Sequence, residues 1–149
     1  MLPPYHFDAG VYVAKDKNPR RVLFVDDEEG IRLTLPPILT DRGFSVTAVG
    51  SVSDALAQVN RKKYDVLVSD MNIEKPRDGF LVIAAMHLLQ PECVNVVLTA
   101  YPAFETAVEG IRHEIADYFV KPVQIEDLVK TINSKLRIRS SNRSSKRKH

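Results

Sequence analysis

The stretch VLFVDDEEG at residues 22–30 drives four apolar residues straight into Asp26, Asp27, Glu28 and Glu29. Two ionised carboxylates about 5 Å apart, at an effective dielectric near 20, repel by about 3 kcal/mol. Dehydrating them beside an apolar run adds to that cost, so a cation must compensate. Further along, Asp70 closes DVLVSD, Thr99 lies in VNVVLTA and Lys121 follows ADYFV. Oxygen donors at this density suit Mg²⁺, which takes one or two carboxylates, keeps several waters and accepts phosphate oxygens. A lysine and a threonine beside a metal-bound carboxylate are what phosphoryl transfer to that carboxylate requires. The metal and the ammonium neutralise equatorial charge, and the hydroxyl bonds a phosphoryl oxygen. Asp70 is the candidate nucleophile, since aspartyl phosphates are an established class of covalent intermediate.

These residues meet only if the chain brings them to one rim. Short β-rich runs occur at RVLFVD (21–26), FSVTAV (44–49), DVLVSD (65–70), VNVVLTA (94–100) and ADYFVK (116–121). Between and after them, helical spacing covers about 28–42, 52–63, 79–89, 102–113 and 124–138. Strands alternating with helices of this length predict βαβ units around a parallel sheet. The first, third and fourth runs are almost wholly apolar, as central strands covered on both faces must be. The second is more polar and reads as an edge. Ligands of such sheets sit outside the C-terminal strand ends, where Asp26, Asp27, Asp70, Thr99 and Lys121 all fall.

The punctuation agrees. Ser51 or Ser53 can cap the second helix, and Gly43 suits the residue just past the first. Pro102 opens the fourth helical stretch, where a missing N–H costs little. Pro36-Pro37 lies inside the first helix and predicts a kink.

The chain of 149 residues, 44% apolar and 27% charged, fits one globular domain with short additions. Its single cysteine, Cys93, excludes an internal disulfide and any multi-cysteine metal site, and reads as a half-buried filler. No apolar run approaches a membrane span and the N-terminus lacks a signal-peptide core, so a cytoplasmic location is expected. Residues 136–149 carry six Lys/Arg and no acid, leaving residues 1–135 with 15 basic and 19 acidic side chains, a net of −4. Three segments are expected: an extension over 1–20, a domain over 21–138 and a disordered basic tail over 139–149. No aromatic residue interleaves the tail's charges, which argues against nucleic-acid recognition.

Taken singly, each site residue has a plainer reading: an acidic pair complementing a helix N-terminus, a strand-end cap, a β-forming threonine, a surface lysine, a Lys-Pro turn. Their order and joint placement favour the chemical reading. Three rival readings fit these residues less well. A haloacid-dehalogenase-like phosphatase needs a second acid two positions after its nucleophile, where this chain has Asn72. A flavin-mononucleotide-binding flavodoxin needs a Ser/Thr/Gly-rich phosphate loop after the first strand, and here that loop is acidic. A degenerate, purely scaffolding domain would lack the acidic pair, the acceptor, the hydroxyl or the lysine, and all are present. The four histidines show no metal spacing.

VLFVDDEEGIR, YDVLVSDMNI…DGF, VVLTAY and YFVKP together resemble the receiver domain of two-component response regulators over residues 21 to about 138. The resemblance implies a (βα)₅ flavodoxin-like, doubly wound α/β fold with strand order 2-1-3-4-5. It implies that Asp70 accepts phosphate from a sensor histidine kinase or a phosphotransfer protein. Mg²⁺ would be held by Asp26, Asp27, Asp70 and the main-chain carbonyl of Asn72. Thr99 and Lys121 match the phosphate-sensing hydroxyl and the lysine of the family, and Tyr118 its aromatic switch. A cis bond between Lys121 and Pro122 is expected. The loop DMNIEKPRDG is one residue longer than in many receivers, with Pro76 displaced. By this resemblance the protein is no enzyme beyond Mg²⁺-dependent self-phosphorylation and slow autodephosphorylation. It would act as a stand-alone receiver, switching the face of its fourth helix, fifth strand and fifth helix to control a downstream protein, with pairing to a second copy left open.

Overall fold

The computed structural model describes residues 5–8, 11–14, 18–100 and 114–147. A hairpin of β1 (Tyr5–Asp8) and β2 (Val11–Ala14) pairs antiparallel and forms its own two-stranded sheet. Among the described residues of the extension over 1–20, no strand joins the main sheet. The elements β3 (Arg21–Val25), α1 (Glu29–Asp41), β4 (Ser45–Val49), α2 (Val52–Arg61), β5 (Val66–Asp70), α3 (Gly79–Leu89), β6 (Val94–Thr99), β7 (Asp117–Val120) and α4 (Ile125–Arg147) follow. The five-stranded sheet is parallel, in order β4-β3-β5-β6-β7. Numbered among themselves, its strands run 2-1-3-4-5, as expected. The fourth helical stretch, 102–113, lies outside the described residues.

Strand alternation divides the core into two layers. Leu23, Val25, Leu67 and Val97 face one side and meet Ala55 and Val59 of α2 and Val82, Ile83 and Met86 of α3. Val22, Phe24, Val66, Val68, Val96 and Leu98 face the other and meet Leu39 of α1 and Leu128, Ile132 and Leu136 of α4. β5 and β6 are buried throughout, whereas β4 is half-exposed, as its more polar sequence requires at an edge. Cys93 is buried, and dehydration pushes its thiol up to about 12, so it is an inert filler.

Local chemistry fixes the helix ends. The Ser51 hydroxyl accepts from the Asp54 amide at 3.0 Å, capping α2. Gly43, just past α1, takes φ +96°, a conformation that a side chain would strain. α1 runs unbroken through Pro36 and Pro37, with Pro36 buried. The two prolines leave the carbonyls of Arg32 and Leu33 without the amides that a helix normally supplies four residues on.

One boundary is corrected. The tail expected to be disordered over 139–149 is helical across its described residues, since α4 continues to Arg147. Arg139 donates to Asp65 Oδ1 at 3.1 Å, to the Asp65 carbonyl at 3.3 Å and to the Glu92 carbonyl at 3.4 Å. Arg143 pairs with the Glu92 carboxylate. Composition signalled an unanchored segment; these guanidinium contacts anchor it. Among the described residues, no helix is long and apolar enough to cross a membrane.

Candidate metal centre

Three parallel strands, β3, β5 and β6, end side by side, and β7 delivers Lys121 beside them. Asp26 follows β3 directly and is wholly buried; its amide donates to the Val49 carbonyl at 3.1 Å, tying it to the end of β4. Asp70, the last residue of β5, is 5% exposed. Lys121 Nζ donates to Asp26 Oδ2 at 2.8 Å and to Asp70 Oδ2 at 2.9 Å, and lies 3.6 Å from Glu28 Oε1. The remaining oxygens meet the main chain: Asp26 Oδ1 accepts from the Glu28 amide at 2.9 Å, and Asp70 Oδ1 from the Asn72 amide at 3.2 Å. Asp27 is exposed and leaves one side of the cluster open to solvent.

Carboxylate oxygens of Asp26, Asp27 and Asp70 lie within 4.8 Å of one another. One ammonium among three carboxylates leaves an acidic surplus, and the protonation behaviour reflects it. Burial pushes the Asp70 carboxyl above its ordinary value despite the opposing pull of Lys121. Partial dehydration, then the charge of Asp26, pushes Asp27 up as well. Burial alone would lower Lys121, but its hydrogen bonds to Asp26 and Asp70 and their charges outweigh that, and its net shift is upward. A hard divalent cation with oxygen preference fits this donor set, because it would supply the charge that the lysine does not.

The other expected site residues are nearby in the fold. Thr99 ends β6, fully buried, and its carbonyl accepts from the Lys121 amide at 2.7 Å. Tyr118 is half-buried opposite Val97 and packs on the core layer facing α2 and α3. The Lys121–Pro122 bond is cis. Asn72 turns its side chain away to serve the loop, where its Oδ1 accepts from the Arg77 amide at 2.7 Å.

That longer loop is well built. The Asp78 carboxylate accepts from three successive amides, those of Ile73 (2.7 Å), Glu74 (3.1 Å) and Lys75 (3.0 Å). Arg77 takes a left-handed φ of 65°. Gly79 packs so closely that an added Cβ would stand 2.2 Å from the Asp70 carbonyl oxygen, which only glycine permits. Sequence reasoning missed the organising role of Asp78, the approach of Glu28 to Lys121, and Arg32, whose Nη1 donates to the Asp26 carbonyl at 2.8 Å. The available signal for Arg32 was a cation in the first turn of a helix, where the dipole disfavours it.

The response regulator receiver domain model matches residues 22–133. Among curated proteins, the alginate biosynthesis transcriptional regulatory protein AlgB of Pseudomonas syringae pv. tomato is 33% identical over 126 residues, 85% of this chain and 28% of that protein. The chain thus spans about a quarter of the length of the curated relatives it matches. Among solved structures, NtrX from Brucella abortus superposes with TM-score 0.78 at 26% identity, covering 89% of this chain and 30% of that one. A Burkholderia pseudomallei response regulator, solved with a phosphorylated aspartic acid, a calcium ion and citrate, superposes with TM-score 0.70 at 24% identity, covering 85% of this chain and 74% of that one. Phosphorylation and Mg²⁺ binding are typical of this family, whose members interact with histidine kinases or phosphotransfer proteins. With its strand order and acidic strand ends, the chain belongs to the receiver domains of two-component response regulators.

Proposed function

We propose that this domain carries a signal by reversible phosphorylation of Asp70. The observation that carries the reading is Lys121 bridging Asp26 and Asp70 inside a three-carboxylate cluster. An Asp70 carboxylate oxygen attacks the phosphorus of a phosphohistidine; the P–O bond forms, the P–N bond breaks, and the departing imidazole keeps the electron pair and takes up a proton. Lys121 stays charged throughout and bonds a phosphoryl oxygen as Asp70 loses its own negative charge to the new acyl phosphate. Mg²⁺, held by Asp26, Asp27, Asp70 and the main-chain carbonyl of Asn72, would neutralise the oxygens of the transferring group. The domain does no other chemistry than this self-phosphorylation and its slow reversal by water. The phosphorylated aspartate and calcium ion held by the Burkholderia regulator, on the same fold, support the assignment.

The signal leaves through the surface that carries β7 and α4. Thr99 bonds the new phosphoryl oxygens, Tyr118 moves inward behind it, and the face adopts a second arrangement that a downstream protein binds. A swing from 1:99 to 99:1 takes about 5.5 kcal/mol of differential stabilisation, within reach of several charge-assisted bonds to a dianion. The single free, buried cysteine suits a reducing cytoplasm.

Incubation with acetyl phosphate and Mg²⁺, followed by intact-mass measurement, tests the reading. The wild-type chain should gain one phosphoryl group; Asp70→Asn, and wild type with chelator, should gain none. Equal labelling of Asp70→Asn, or no labelling of wild type, defeats it.

A further inference from the structure

Arg32 stands in the first turn of α1, just after Glu28 and Glu29. A cation there opposes the helix dipole, so its position needs a separate reason. The guanidinium lies against Gly50, directly after β4. A Cβ added to Gly50 would come within 2.7 Å of Arg32 Nη1 and 2.9 Å of its Cζ. Any other residue at 50 would occupy the space that the flat head of Arg32 fills. From that seat Nη1 reaches the Asp26 carbonyl at 2.8 Å.

Asp26 is consequently held on every polar group it owns. Its amide donates to Val49 at 3.1 Å, its carbonyl accepts from Arg32, and its carboxylate meets the Glu28 amide and Lys121. The carbonyl is the joint between β3 and the loop bearing Asp27. Its orientation sets the peptide plane from which Asp27 projects and limits the turn of the Asp26 side chain. Arginine suits this task because its planar head offers several rigidly placed donors.

We infer that Arg32, seated where Gly50 has no side chain, is a positioning residue that fixes Asp26 and Asp27 for the divalent cation. This rests on the proposed function, since it assigns a supporting role within that cation site. Supports of this kind typically change metal affinity by 10–100-fold when removed.

The test is a double-mutant cycle read by calorimetric titration of the full chain with Mg²⁺, alongside urea unfolding without metal. Gly50→Ala keeps every charge and should only evict the guanidinium, so it should weaken Mg²⁺ binding about tenfold. The urea midpoint should fall no further in Gly50→Ala than in Arg32→Ala, because both leave the Asp26 carbonyl without its donor. In an Arg32→Ala background the added methyl has nothing to displace, and Gly50→Ala should then cost no further affinity. Gly50→Ser, with the same Cβ, should behave as Gly50→Ala does. Wild-type affinity in Gly50→Ala, or an equal loss in both backgrounds, overturns the inference while leaving the proposed function standing. A wild-type chain that takes up neither Mg²⁺ nor phosphate removes both.

Discussion

The two ends of the parallel sheet carry the same kinds of charged residue, arranged to opposite effect. At the N-terminal end, Asp65 accepts from the Arg21 amide at 2.8 Å and from Arg139 at 3.1 Å, with Arg20 3.9 Å away. Arg143 answers Glu92 beside it. Asp65 and Glu92 each have at least one guanidinium beside them. At the C-terminal end, Asp26, Asp27 and Asp70 crowd together around the single ammonium of Lys121. Burial and balance both separate the two: the Asp26 side chain is fully buried and that of Asp70 7% exposed, against 27% for Asp65 and 61% for Glu92. A balanced network holds secondary structure in place; a surplus of dehydrated carboxylates raises the free energy of the empty domain and is useful where a cation or a phosphoryl group relieves it.

Lys121→Met should give the largest effect. It leaves two buried carboxylates without their shared cation, and breaking a buried pair in this way costs about 3–5 kcal/mol. Urea unfolding near neutral pH without metal should show the loss, and acetyl phosphate labelling should slow by about 100-fold or more. A stable variant that labels at the wild-type rate would mean that the surplus has nothing to do with chemistry.

Next comes the pH dependence of the empty domain. The Asp70 carboxyl is raised above its ordinary value of 3.8, first by burial. For an acid whose folded pKa exceeds its unfolded one, the stabilising contribution is complete below the unfolded pKa and is lost as pH rises through the folded value. Asp70→Asn should therefore be more stable than wild type at pH 7 without metal, and the gain should vanish near pH 3. Mg²⁺ at about a hundredfold excess over its Kd should return about 2.7 kcal/mol to wild type and much less to Asp70→Asn. A gain that persists into acid would assign it to packing instead of charge.

Arg139→Met probes the opposite end. It removes the donors to Asp65 and to the Glu92 carbonyl, a loss worth about 1–3 kcal/mol. The helical signal of α4 beyond residue 138 should fall in circular dichroism, while the labelling rate at Asp70 stays unchanged. A labelling rate that falls in parallel with Lys121→Met would erase the distinction between the two ends.

The central strands and the carboxylate site were legible in the sequence because each depends on short-range pattern. VLFV, VLVS and VNVVLT are apolar on both faces, so they had to be central strands, and whatever followed them had to lie on one rim. Asp26, Asp27, Asp70 and Lys121 meet there as that logic requires. The features missed depend on partners far away in the chain. Composition alone marks residues 139–147 as an unanchored tail, yet Arg139 finds Asp65, 74 positions earlier. Arg32 needs Gly50, which any loop could contain. Asp78, whose three amide partners begin only five residues before it, was legible in principle: an aspartate before a glycine at the end of a polar loop is well placed to fold that loop around its carboxylate.

The smallest effect sharpens the comparison most, because it separates place from charge. Ser51 and Glu74 both serve the N-terminus of α2: the Ser51 hydroxyl accepts from the Asp54 amide at 3.0 Å and the Glu74 carboxylate from the Val52 amide at 3.0 Å. This is a structural device at the same end of the sheet as the acidic cluster, attached to the very loop that follows Asp70. Ser51→Ala should lower stability by about 1 kcal/mol, the usual worth of such a cap, and leave Asp70 labelling untouched. Were labelling to slow with stability, proximity to the strand ends would be enough to make a residue matter to the chemistry, and the surplus of charge would lose its standing as the mark of the site. An unchanged rate leaves the carboxylate excess around one lysine as the feature that sets this end of the molecule apart.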